Sequence, residues 1–528
     1  MKTFAIKARK KLIDEILDRI QMFSLDSKTE LPNLLPKNPV KQECFLQLQR
    51  QIEENDVLSV AEQAACVWFH RLVSIWFMEV NEYLPTEPFF SRFSPNGFKR
   101  NDVDADTLEE KEEMQYWKTY GYTEQEAAAQ ILFMRVCSQL GRIFPQLFSC
   151  YAQPVDFLIP KFHVDSVIYE FLSLPKEDFV LSQGGQAEMI GWLYQYFHTE
   201  RKEETFALLQ KNIKITKERI PAATQLFTPD WIVRYMVENS VGKLWLEQHP
   251  NAELEEKWTY YLKSNNTSSR EKYSTELRPQ DITILDPCMG SGHILVYAFD
   301  ILMDIYGSQG YTKREAAGQI IANNLYGLEI DDSVSELAHF VIMMKARFYD
   351  ETILEQSRCV HICSIQESNE ITDNLRQEIW QQFSMLEEEE RLAIDFVIDA
   401  FRDAKTYGSC LQMTQRFQPK FYEKTARRLR EIITDNTFDF NLEQWAIINQ
   451  WFPLLIALLE QADLLTRTYL VTITNPPYMG KKSLNKKIST FLETNYPNGK
   501  SELYAAFILR CKAFTKEFGY FSMVTMHT

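Results

Sequence analysis

A chain of 528 residues, 45% hydrophobic and 13% aromatic, has enough apolar material for about two or three buried cores, and its nine cysteines lack disulfide or zinc-ribbon spacing. A net charge of −16 argues against a protein that coats nucleic acid wholesale, though not against a local basic groove. The amino-terminal stretch is too charged for a secretory signal, and the longest apolar run, Phe452 to Leu459, is short and broken by Pro453, so a reducing cytoplasmic setting and no membrane partner are expected.

In chain order, residues 1–215 read as a helical amino-terminal domain. Ser59 with Glu62 and Thr123 with Glu126 have capping-box spacing, and AEQAACVWFHRLVSIWFMEV, apolar on nearly every face, predicts a buried central helix. From Asp281 the texture changes. ITILDP, NLYGLEID, CVHICSI, YLVTIT and GYFSMVTM are short β-branched runs separated by helical stretches, the βαβ pattern of a mostly parallel, Rossmann-like α/β sheet covered on both faces. Residues 216–366 form the first part of that domain, and residues 468–528 its continuation. Between them, residues 367–467 have helical periodicity and predict an insertion, either a subdomain or an extension on the sheet.

LDPCMGSGH follows the first of these strands and opens a helix. Gly290 and Gly292 permit a tight turn and close backbone approach, and the helix start beyond them offers unpaired N–H groups to an anion. Glu329 ends the second strand, where a carboxylate can accept from two ribose hydroxyls; Asp332 and Ser333 read as cap candidates for the next helix. Upstream, Thr228 reads as an N-cap with Pro229 at the first helical position.

Asn475, Pro476, Pro477 and Tyr478 follow the fourth strand. Residue frequencies make a chance NPPY in such a chain roughly a one-in-five-hundred event, so its placement after a strand carries weight. Asn475 and the Pro476 carbonyl can both accept from one planar amino group, because proline fixes φ and brings no competing N–H. Drawing both amino protons into hydrogen bonds favours a pyramidal nitrogen with a free lone pair, and Tyr478 can stack on the ring that bears it. Lys481, Lys482, Lys486 and Lys487 follow as a candidate DNA-contacting group, and Arg427, Arg428 and Arg430 form a second cluster that could line a basic groove, with a solvated helix face as the plain alternative for each. Cys359, His361 and Cys363 alternate along one strand, but without a fourth ligand they read as core, and no metal is expected.

The order FTP, DPCMGSG, YGLEID, NPPY resembles the class I S-adenosylmethionine-dependent methyltransferases that modify adenine in DNA. It is most similar to the PglX-type enzyme of bacterial phage-exclusion (BREX) systems, also through IGWLYQYFHTERK, YPNGKSELYAAFILRC and CVWFHRLVSIWFMEVNEYLP. The resemblance implies S-adenosylmethionine as cofactor, with Phe227, Thr228 and Pro229 lining its pocket, Asp286, Pro287, Gly290 and Gly292 holding its methionine moiety, and Glu329 on its ribose. It implies NPPY as the catalytic motif, duplex DNA with a flipped-out adenine as substrate, and other defence-system proteins as partners.

Cys288 and Met289 stand where the family pattern DPACGSG has Ala and Cys, which predicts an altered pocket wall. The acidic residue expected after the third strand is unassigned among Ser364, Gln366 and Glu367. Five strands are identifiable where the family sheet has seven, so the chain reads as an amino-terminal portion of a longer protein or as a truncated gene product. A restriction–modification methyltransferase shares these motifs, protein-glutamine methyltransferases share the tetrapeptide, and a non-catalytic cofactor- and DNA-binding subunit of a defence complex is the reading from a different class.

Overall fold

The computed structural model describes residues 1–22, 39–85, 87–94, 97–99, 107–148, 154–210, 228–263, 276–356, 360–383, 385–413, 417–418, 420–435, 440–480 and 484–526. The chain forms two units, Met1–Glu200 and Arg201–Thr528.

The first unit is built of helices. The apolar run forms helix Val57–Val80, buried without interruption from Trp68 to Met78. Arg71 lies within that run, paired with buried Asp156 and donating to the Leu147 carbonyl at 2.7 Å, so its charge is answered inside the core. Thr123 and Glu126 form a reciprocal capping box as read. Ser59 does not cap: the helix begins at Val57 after Asp56, and Glu62 is claimed by Arg9.

The second unit carries a five-stranded parallel sheet: β1 (Ile284–Asp286), β2 (Leu325–Glu329), β3 (His361–Ser364), β4 (Tyr469–Thr474) and β5 (Thr515–Met523), in the order β3-β2-β1-β4-β5. All five runs read as strands are strands. Alternation assigns the faces. Leu285, Tyr326 and Leu328 join one continuous apolar core with Ile394, Val397, Phe401, Leu429, Phe452 and Leu459, so the inserted helices pack directly on the sheet. On the opposite face lies helix His293–Ser308, with Leu295 and Met289 approaching the bare Cα of Gly327.

Helix Leu442–Thr466 closes the insertion with Pro453 inside it. Its Gln461, fully buried, accepts from the Gln366 N–H at 2.7 Å and donates to the Gln366 carbonyl at 2.8 Å, pairing with that backbone as a strand would. Helix Leu503–Phe514 runs straight into β5, whose register against β4 slips between Tyr469 and Val471, where Phe518 takes a φ of 63°.

Two helix starts differ from expectation by one residue. Pro229, with ψ of 141°, is itself the cap of helix Asp230–Val237, so Thr228 lies outside it. Asp331 caps helix Asp332–Tyr349, its side chain accepting from the Val334 N–H, which leaves Asp332 as the first helical residue.

Candidate active site

Because the strands are parallel, Asp286, Glu329, Ser364 and Thr474, the last residues of β1 to β4, all lie along one edge of the sheet. Strand order reverses between β1 and β4. That switch point is where open α/β sheets form a crevice, and the sequence places its glycine turn on one side of it and NPPY on the other.

The turn after β1 is tied down from several directions. Asp286 is fully buried, and its Oδ1 accepts from the Cys288 N–H at 3.0 Å. Its Oδ2 is buried without a hydrogen-bond partner, the nearby Thr474 hydroxyl standing outside bonding geometry. Burial pushes the Asp286 carboxyl up to about 7; Thr474 and the Cys288 amide oppose the rise, and Glu329 adds to it. Gly290 and Gly292 have φ of 52° and 82°, left-handed values that favour glycine. A Cβ on Gly292 would meet Ala338 at 3.2 Å, whereas one on Gly290 would meet nothing within 4 Å, so the turn is closed towards the helices and open at Gly290. Met289 is accommodated by Gly327, where a Cβ would come within 2.3 Å of its sulfur. Met289 thus fits because the neighbouring strand position has no side chain.

Glu329, also buried, accepts from Gly290 N–H at 2.9 Å through Oε2, and from Ile330 and Asp331 N–H at 2.9 and 3.1 Å through Oε1. It braces the glycine turn from β2. Burial first, and Asp331 second, push its carboxyl up to about 7 against those three amide bonds. Two buried acids thus end adjacent strands with no cation paired to either among the described residues. Beyond β2, Asp332 accepts from Ser364 Oγ and Gln366 Nε2, both at 2.7 Å, and pairs with Lys405. Ser364 and Gln366 are therefore committed to an acid on the β2 side.

Opposite, the Tyr478 hydroxyl lies 2.7 Å from Asn475 Oδ1 and 2.9 Å from the Val524 carbonyl, one proton serving two acceptors. The hydroxyl orients the Asn475 carboxamide. Burial pushes its pKa up to about 12, so it stays a donor. The Tyr478 ring lies 6.0 Å from Tyr504. After the motif, Gly480 bridges to Glu502 and Leu503 N–H donates to the Met479 carbonyl, which brings YPNGKSELY beside NPPY.

Thr228 is buried and Pro229 exposed ahead of helix Asp230–Val237, whose Arg234 lies over the Tyr297 ring of helix His293–Ser308. Phe227, Lys481 and Lys482 lie outside the described residues, as does Cys359. Lys486 and Lys487 are exposed at the start of helix Lys486–Asn495, and Lys487 pairs with Asp403. Arg427, Arg428 and Arg430 pair with Glu423, Glu431 and Glu460 on an exposed face. His361 stacks on Tyr326 and hydrogen-bonds the Ala322 carbonyl.

A sequence reading gave no role to Ser409, Tyr496 or Arg510. The Gly-Ser step in TYGSC was a turn signal inside an otherwise helical insertion. Ser409 bonds the Pro287 carbonyl, and Arg510, buried, bonds the Ser409 carbonyl.

The family model for Eco57I restriction-modification methylase matches residues 323–528, from just before β2 through NPPY to β5. The adenine-specific methyltransferase PglX of Lacticaseibacillus casei (strain Zhang) is 31% identical, with all of this chain and 46% of that protein aligned. This chain is similar to adenine-specific methyltransferases along its whole length. The adenine-specific methyltransferase BrxX of Escherichia coli O9:H4 (strain HS) is 30% identical over 91% of this chain and 41% of its own. The chain thus spans somewhat less than half the length of these relatives. A DrdV–DNA complex aligns over 99% of this chain and 35% of that one, at TM-score 0.37 and 11% identity, a distance at which it adds nothing to the reading. Methyltransferases of this kind use S-adenosylmethionine, and no described helix is long and apolar enough to cross a membrane.

Proposed function

We propose that this chain carries the cofactor-binding and catalytic part of a site-specific DNA adenine-N6 methyltransferase that marks host DNA in a BREX-like phage-defence system. The observation that carries the reading is the placement of the DPCMGSG turn, Glu329 and NPPY on adjacent parallel strands at one sheet edge, across the switch point. S-adenosylmethionine, when bound, supplies an electrophilic methyl group. The residues fit a cation-bearing ligand of that kind: Asp286 has an unpartnered buried oxygen, Glu329 lies beside it, and Gly290 leaves open space at the turn.

In this reading Asp286, Pro287, Gly290 and Gly292 hold the methionine part, Glu329 takes the ribose, and Phe227, Thr228 and Pro229 line the pocket. Asn475 Oδ1 and the Pro476 carbonyl accept the two amino protons of a flipped-out adenine, which frees the N6 lone pair. Pro477 keeps the backbone rigid and the Tyr478 ring faces the base, its hydroxyl holding the Asn475 carboxamide. Lys481, Lys482, Lys486 and Lys487 are the proposed contacts to duplex phosphates, and Lys487 must exchange Asp403 for a phosphate to take part.

The test uses the full-length protein in cells carrying the complete system. Asn475→Ala is expected to remove N6-methyladenine from genomic DNA without lowering protein level; a persistent mark excludes the role given to Asn475. The Eco57I-type match favours a restriction–modification setting as second reading, and cleavage of unmarked DNA by the same system would select it.

A further inference from the structure

The helical insertion sends one segment to the sheet edge that carries the motifs. Between helices Glu388–Ala400 and Phe421–Thr434 the chain turns through Asp403 and Gly408, at φ of 54° and 56°. On the side of the glycine turn, Ser409 Oγ donates to the Pro287 carbonyl and Lys405 pairs with Asp332. On the NPPY side, Asp403 accepts from Lys487 at 2.9 Å, the Cys410 carbonyl from the Tyr496 hydroxyl at 2.6 Å, and the Ser409 carbonyl from Arg510 Nε at 3.0 Å. Arg510 is buried and also donates to the Leu465 carbonyl at 3.1 Å, so the backbone of Ser409 is fixed by a group that is itself fixed.

We propose that residues 403–411 form a strap that holds the Pro287 turn in ligand-binding geometry, with Ser409 and Lys405 as positioning residues. The inference rests on the reading of that turn as the cofactor site. A buried carbonyl just past the end of a strand needs a donor, and the registers of β1 with β2 and β4 end at Asp286 and Leu285, before Pro287. The insertion delivers a hydroxyl to it on a rigid mount. Because the same segment grips helix Lys486–Asn495 through Lys487 and residue Tyr496 just beyond it, the strap links the turn to the helix that follows NPPY in the chain.

In the full-length protein, Ser409→Ala is expected to weaken S-adenosylmethionine binding in calorimetry by about five- to tenfold, the effect of losing one hydrogen bond that fixes a binding loop. The ligand-free melting temperature is expected to fall by only about 2–4 °C, the shift that one orphaned buried acceptor produces in a domain of this size, and Ser409→Thr to recover most of the affinity and of the melting temperature. Hydrogen exchange of the Cys288–Gly292 amides without ligand should quicken in Ser409→Ala. Unchanged affinity with unchanged exchange overturns the strap, and so does a parallel loss of melting temperature and affinity that Ser409→Thr fails to restore. If wild type binds no S-adenosylmethionine while Ser409→Ala still quickens exchange, the cofactor reading fails and the strap stands.

Discussion

Asp286 and Glu329 are buried acids whose carboxyls are raised to about 7, chiefly because burial penalises the charged form. In the unfolded chain each titrates in the ordinary carboxylate range, so the native state binds more protons between there and about 7. Stability therefore falls as pH rises through that window and levels off above it. A cationic ligand offsets the penalty only while the acids are charged. Melting curves from about pH 5 to about pH 8 should accordingly show the ligand-free protein losing stability and the shift caused by S-adenosylmethionine growing. Asp286→Asn keeps an oxygen for the Cys288 N–H and removes one titration, so its ligand-free curve should slope less; an equal slope would assign the pH dependence elsewhere. The paired carboxyl environment was not legible in the sequence, which shows two acids on separate strands. Met289 is similar: its departure from the family pattern is visible, but the space left for it by Gly327 exists only once β2 lies beside β1.

Among the elements, the strands were legible because short β-branched runs between helices leave few alternatives, and all five fall where those runs lie. Helix starts were less so. At Glu62 a distant arginine takes the side chain that a capping box needs, and at Pro229 an extended ψ postpones the helix by one residue. Helix Leu442–Thr466 shows how an inserted element becomes part of the sheet core: Gln461 replaces a missing strand partner for Gln366. Gln461→Met preserves volume but orphans a backbone N–H and carbonyl, so chemical denaturation should report a loss of about 2–4 kcal/mol. A loss below about 0.5 kcal/mol, the usual size of a surface substitution, would mean that water substitutes for Gln461.

For the whole molecule, two compact units predict two calorimetric transitions in a protein containing both. The proposed ligand contacts from Thr228 onward belong to the second unit. S-adenosylmethionine at about a hundred times its Kd should therefore stabilise one transition by about 2.7 kcal/mol and leave the other in place. A single transition that moves as one would show the units to be energetically coupled.

Local chemistry written into the sequence determined the strands, the left-handed glycine turn and the NPPY acceptors, since each depends on neighbours within a few residues. Contacts distant in sequence were decided by tertiary structure alone. Pairing of β1 with β2 and β4 sets Asp286 and Glu329 at the ends of adjacent strands and gives Met289 its place, while packing of the insertion on the sheet brings Ser409, more than a hundred residues from Pro287, to the carbonyl it holds. Burial and strand order, which no local pattern encodes, bring those separate motifs to one edge of the sheet.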